Sequence, residues 1–300
     1  MKPEALIGKI PNLQSPSPTV VQLLNLLNDP DADFDEITAT VRRDVALSVK
    51  LLAVCNSTSY GLAKQVASVE QAVLYLGHGE IHQLIMALSF SGPIGVELPG
   101  YDIEARTLWR HSLVTALVTP RVVGLSQQLN ADTSTAYTAG LLHDIGKLVI
   151  GQSLDVPSRD RIHAFVEGGE GSLLAAEKAV LGCDHAEIGA CLLRQWRLPE
   201  IIVEAVEHHH HPPVDGGAHL SAVVHVADAL AHQTGASPGW GSFAIVFHEA
   251  VLTALQLTVA DLETLTFAAL DCQEKAAQQG KDAVAQKPES RAGAAAPRSF

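Results

Sequence analysis

The stretch Leu141-Leu142-His143-Asp144-Ile145-Gly146-Lys147 decides how the rest of this 300-residue chain is read. Two leucines belong to a buried face, and directly after them one turn presents an imidazole and a carboxylate side by side. A neutral imidazole and an anionic carboxylate suit iron, manganese or zinc-like divalent ions. The carboxylate can also bridge two ions through its two oxygens, which an imidazole cannot. A His-Asp dipeptide arises often by chance, so its surroundings must carry the weight. The chain holds 14 histidines, far more than charge or packing requires.

Outward from this stretch the apolar periodicity is helical almost throughout, which makes the chain all-α. Asp132 can cap the helix that contains TAGLLHDIGKLVI (138–150). Upstream, a helical stretch opens at Asp102, passes Trp109 and His111, and is expected to bend or break at Pro120. Downstream, helices are expected over Ser172–Leu181, Asp184–Trp196, Pro199–His208, Leu220–Gln233, Phe243–Leu257 and Val259 to about Cys272. In the first third, Ser17 can cap a helix carrying Val20, Leu23, Leu24 and Leu27, and Asn28-Asp29-Pro30 stops it. Capping signals at Asp33 and Ser68 open further helices, and Gly77 ends one. The loop from Ser91 to Gly100, with two prolines and three glycines, is the best internal boundary. Two helical lobes follow, over 8–90 and 101–272. Residues 273–300, rich in Ala, Gln, Lys and Pro, are expected to form a disordered tail.

Composition narrows the function classes. The net charge of −13, with no local cluster of Lys and Arg, repels phosphate backbones and argues against direct nucleic-acid binding. No apolar run approaches the length that crosses a bilayer, and MKPEALIGKI lacks the layout of a secretory signal. A cytoplasmic location with no membrane association is therefore expected. Cys55, Cys183, Cys191 and Cys272 contain no CxxC pair and read as small core residues.

HDIGK, preceded by WRHS (109–112) and followed by VADAL (226–230), resembles the HD superfamily of metal-dependent phosphohydrolases. The resemblance implies one ion bound by His111, His143, Asp144 and Asp228. IPNLQSPSPTVVQLLNLLNDPDADFDEI (10–37), VRRDVALSVKLLAVCNSTSYGL (41–62) and SVEQAVLYLG (68–77) are similar to the HDOD family, an output module of bacterial signalling. LLHDIGKLVI, LGCDHAEIGACLLRQWRLPEIIVEAVEHHH (181–210) and VVHVADALA (223–231) agree. Together these motifs cover roughly residues 8 to 265. The implied architecture is a two-lobed helical HDOD module with an HD-type bundle as its second lobe.

The related HD-GYP phosphodiesterases add a second metal position, and their pattern matches His185, His209 and His210, with a one-residue ambiguity of register inside His208–His211. Asp144 would then bridge two ions, as in a di-iron or di-manganese centre. The loop Pro212-Pro213-Val214-Asp215-Gly216-Gly217 contains no GYP triplet, which counts against a cyclic di-GMP substrate.

Each residue also has a plainer reading. Asp144 could simply accept from Lys147 in the core. Asp228 could bond His225 or His232 on its own helix face, three and four residues away. His185 could belong to a capping box of Asp184 and Glu187. The histidine run could complement a helix C-terminus. His78, His82, His163, His219, His232 and His248 match no ligand position and read as structural. The resemblance implies a signalling regulator that works by binding a protein partner, with a nucleotide as the ligand class suited to the pocket. The alternative is a metal-dependent phosphohydrolase or phosphodiesterase acting on a nucleotide or cyclic dinucleotide, with Asp144 bridging the ions and Lys147 steadying a phosphate oxygen.

Overall fold

The computed structural model describes residues 2–10, 18–27, 29, 32–57, 60, 65–90, 95–104, 106–126, 128–129, 131–169, 171–215, 218–236 and 247–285. Ser17, Asn28, Pro30 and part of the boundary loop, all singled out above, lie outside these residues. Fifteen α-helices follow in chain order among the described residues: α1 (Pro3–Ile7), α2 (Pro18–Leu27), α3 (Phe34–Arg43), α4 (Val45–Cys55), α5 (Val69–Phe90), α6 (Thr107–Leu125), α7 (Thr133–Leu142), α8 (Ile145–Ser153), α9 (Val156–Glu167), α10 (Leu173–Leu181), α11 (His185–Gln195), α12 (Glu200–Glu207), α13 (Leu220–Gln233), α14 (Glu249–Leu255) and α15 (Val259–Ala285). A 3₁₀ turn at Pro99–Tyr101 and one isolated bridge between Leu98 and Ile103 complete the described structure. The all-α expectation holds. No single described helix is long and apolar enough to cross a membrane.

The first lobe is α2–α5, with Val20, Leu23, Leu27, Ile37, Val41, Leu51, Ile81 and Ile85 inside it. Gly77 adopts a positive φ of 76° and kinks α5, a backbone conformation that favours glycine. In the second lobe α6 packs on α7, α13 and α15, while α11 packs on α8 and α12. The two lobes touch: α5 packs on α7, and the short α1 lies on α8 and α11 rather than on the lobe that follows it in sequence. Cys55, Cys183 and Cys272 are buried thiols without disulfides.

Four sequence expectations need correction. The helical stretch expected to open at Asp102 begins instead at Thr107, because Asp102 and Arg106 both adopt positive φ. The helix at Pro120 does not break: α6 runs from Thr107 to Leu125. Proline removes the N–H that would reach the Ala116 carbonyl, and the Thr119 hydroxyl donates to that carbonyl instead at 2.9 Å. The expected single helix through HDIGK is instead two, because the chain turns at His143-Asp144 between α7 and α8. The last helix does not stop near Cys272; it reaches Ala285, with Ala269, Cys272 and Ala276 all buried on one helical stripe. α15 packs against α6.

Candidate metal centre

Asp144 sits at the break between α7 and α8, with φ −98° and ψ 12°. The break aims His143 and Asp144 into a space between α6, α11, α13 and the turn after α12. α6 brings His111, the first residue of α11 brings His185, the turn after α12 brings His209 and His210, and α13 brings Asp228. All seven residues expected from the sequence converge there. Six are almost completely buried and His210 is half-buried. Within the histidine run, His208 and His211 are exposed, while His209 and His210 turn toward Asp144 and His185.

The rings are held from behind. His111 Nδ1 donates to the Ala236 carbonyl at 2.6 Å, and His143 Nδ1 to the Gly140 carbonyl at 2.8 Å. His209 Nδ1 donates to the Val206 carbonyl at 2.7 Å, and His185 Nδ1 to Glu177 Oε2 at 2.8 Å. A carbonyl or carboxylate can only accept, so each of these rings carries its proton on Nδ1 and directs Nε2 inward. The Nε2 atoms meet one another and the carboxylates. His111 Nε2 lies 3.1 Å from His143 Nε2 and 3.0 Å from Asp228 Oδ1. His185 Nε2 lies 2.8 Å from His210 Nε2 and 3.3 Å from Asp144 Oδ1. Asp144 Oδ2 faces His143 and His111 at 3.4 and 3.5 Å. Thus one oxygen of Asp144 faces the His111–His143 side and the other the His185–His209–His210 side.

Two ring nitrogens that both carry lone pairs cannot sit about 3 Å apart without a cation between them. Burial opposes charge on His143, but Asp144 and Asp228 outweigh it and carry the ring up to about 10. His111 is lowered to about 4 by burial and by His232. On the other side burial likewise opposes charge on His185, but Glu177 and Asp144 raise it to about 9. His210 is held well below its usual value by burial and by His209. His209 is lowered to about 3 by burial and by His143. Burial penalises ionised Asp144 and Asp228 as well, yet the surrounding cations keep both carboxyls well below the usual range. Among the described residues, Asp144 Oδ1, Asp228 Oδ1 and His209 Nε2 make no well-aligned hydrogen bond. Convergent lone pairs, a carboxylate with two outward oxygens and buried unsatisfied donor atoms suit divalent ions. Asp144, His185, His209 and His210 form one group whose donor atoms all lie within 4.8 Å of one another, and His111, His143 and Asp144 form another.

The HDOD domain model matches residues 13–212. The chain belongs to the HDOD family. A protein of Treponema pallidum is 28% identical over 218 residues, 69% of this chain and 39% of that protein. A ribonuclease Y of Thermus thermophilus is 33% identical over 175 residues, 58% of this chain and 22% of that protein. The chain therefore spans well under half the length of the curated relatives it matches. Among solved structures, a candidate phosphohydrolase of Shewanella amazonensis superposes with a TM-score of 0.70 at 24% identity, covering 93% of this chain and 97% of that one. That likeness shows a shared fold.

The plainer readings hold beside the convergence. Lys147 is buried, with Nζ 2.6 Å from Asp144 Oδ2, and Asp184 with Glu187 does form a capping box around His185. In the HDOD second lobe that box places His185 at the first turn, where its ring reaches the pocket.

Two residues escaped the sequence reading. Glu177 is fully buried in α10 and accepts from both the backbone N–H and the ring of His185 at 2.8 Å. Its other oxygen accepts from the Tyr101 hydroxyl at 2.6 Å. The available signal was a carboxylate four residues from both Leu173 and Leu181, on an apolar stripe. The second is His232, read as structural and only as a bonding partner of Asp228: its Nε2 does lie 3.3 Å from Asp228 Oδ1, but its place beside His111 was not foreseen.

Proposed function

We propose that this HDOD protein is a signalling regulator that acts by binding a protein partner, and that its second lobe is organised by a pair of divalent ions of the di-iron or di-manganese kind. The observation that carries the metal reading is the ring of imidazoles tied outward through Nδ1 and converging through Nε2 on the two oxygens of Asp144. His111, His143, Asp144 and Asp228 would hold one ion, and Asp144, His185, His209 and His210 the other. The family supports regulation. So does the burial of the donors, because an ion enclosed this deeply stabilises a fold whether or not it turns over a substrate.

A second reading is hydrolysis of a phosphoester, favoured by the completeness of the donor set and by the ribonuclease Y likeness. Bound ions would supply Lewis-acid polarisation of a phosphoryl oxygen and activation of water. The chain's own contribution would be Asp144, dividing its oxygens between the two positions, and Lys147, held beside it as a fixed positive charge. The net charge of −13 argues against a long polyanionic substrate and for a small one.

Elemental analysis of untagged protein tests the first claim: two equivalents of iron or manganese are expected, falling to none in Asp144→Ala. Finding no metal in wild type after anaerobic loading with either ion would sink it. Incubation of the loaded protein with cyclic dinucleotides and a model phosphodiester separates the two readings. Intact diesters are expected for a binding regulator, whereas turnover that tracks metal content would transfer the function to hydrolysis.

A further inference from the structure

We infer that His232 is a sixth imidazole of the metal centre, completing the ion position formed by His111, His143, Asp144 and Asp228; this rests on the metal reading above. Asp228 and His232 stand one turn apart on α13, so both side chains leave the helix on the face turned toward α6. His232 Nε2 approaches Asp228 Oδ1 at 3.3 Å. That same oxygen faces His111 Nε2 at 3.0 Å and His143 Nε2 at 3.4 Å. Three ring nitrogens therefore surround a single carboxylate oxygen in a site shielded from water. The His232 ring lies 4.5 Å from the His111 ring, and the donor atoms of His111, Asp228 and His232 all fall within 4.8 Å of one another.

The competing role is that of an outer partner which only orients Asp228. A carboxylate that ligates through one oxygen is normally steadied through its other oxygen or from behind, as Glu177 steadies His185. His232 instead approaches Oδ1, the oxygen that faces the other two rings. Its Nε2 shares that oxygen with the Nε2 atoms of His111 and His143.

The inference sets the character of the two positions. The first has three imidazoles, one oxygen of Asp144 and one of Asp228. The second has three imidazoles and the remaining oxygen of Asp144. Both are nitrogen-rich, which selects a borderline transition ion such as iron, cobalt or zinc over magnesium or calcium. The first is also the more completely ligated, so the second is the one left open to an added ligand.

The test uses full-length untagged protein labelled with ¹⁵N-histidine and loaded with Co²⁺, a paramagnetic probe. Each ligating imidazole gives ring protons shifted far outside the normal range, while a ring one bond-path removed shifts much less. Six strongly shifted imidazoles are expected in wild type and five in His232→Gln, which is also expected to bind one of its two Co²⁺ ions at least tenfold more weakly. His163→Gln, on an exposed ring paired with Glu167, is expected to change neither count nor affinity. Five shifted imidazoles in wild type would overturn the inference, even if His232→Gln binds more weakly, because His232 would then be an orienting partner. If His232→Gln fails to fold, the wild-type count decides alone. Wild type that takes up no Co²⁺ would overturn the metal reading itself, and the inference with it.

Discussion

Asp144 compensates more charge than any other side chain in the pocket. Without metal it offsets Lys147 and the protonated His143 and His185 at once. Asp144→Ala would leave a buried lysine unpaired, so the metal-free variant is expected to lose about 3–5 kcal/mol in a denaturant titration, and Asp144→Asn to lose charge compensation while keeping shape. The imidazoles give a pH dependence of definite sign. His143 and His185 are raised from 6.5 to about 10 and about 9. Such groups contribute stability that is complete below the unfolded value and disappears as pH rises through the folded one. Metal-free protein is therefore expected to melt at falling temperature between about pH 6.5 and 10. His111 and His209, lowered to about 4 and about 3, act in the opposite sense and cost stability as pH falls below 6.5. An ion needs bare Nε2 atoms, so loading at about pH 7.5 is expected to release about two protons. Calorimetric heats that depend on the ionisation enthalpy of the buffer would show this; buffer-independent heats would contradict it.

At the scale of elements the pocket depends on close approaches. A Cβ on Gly146 would collide with the backbone carbonyl of His185, which lets α8 meet α11 only while that position is glycine. Gly146→Ala is expected to cost about 3 kcal/mol and to part Asp144 from His185, so the second ion is lost before the first. Metal stoichiometry together with a melting curve would measure both. Thr119 is a second such point, because its hydroxyl lies 2.9 Å from the Ala116 carbonyl and 3.0 Å from that of Ala136. Thr119→Val is expected to destabilise by about 1–3 kcal/mol, with no change in metal content. The legibility of the sequence divides along the same line. Periodicity and caps announce helices, and motif order announces which side chains converge, so His111, His143, Asp144, His185, His209, His210 and Asp228 were all visible. Contacts between residues far apart in the chain and outside any motif were not, which is why Glu177 and Tyr101 were missed. A hydroxyl that rescues a carbonyl orphaned by proline left no periodic trace either, so α6 reads as broken when it is whole.

At the scale of the molecule, loading is expected to stabilise the whole second lobe, since α6, α11 and α13, the α7–α8 break and the turn after α12 all supply donors. At a free ion concentration about a thousandfold above Kd, the gain is about 4 kcal/mol, or roughly 10 °C in melting temperature; a scan with and without chelator would show it. The pocket is also not confined to its own lobe. Tyr101, in the 3₁₀ turn of the connector between the lobes, holds one oxygen of Glu177, and His185 holds the other. Two hydrogen bonds thus join the connector to a ring of the pocket, and thermodynamic reciprocity governs any such joint. Whatever factor of affinity an ion gains when Tyr101 is seated, the seating of Tyr101 gains when the ion arrives. A partner that draws the connector away would loosen the ion by that factor, and the ion, once lost, would release the connector to the partner.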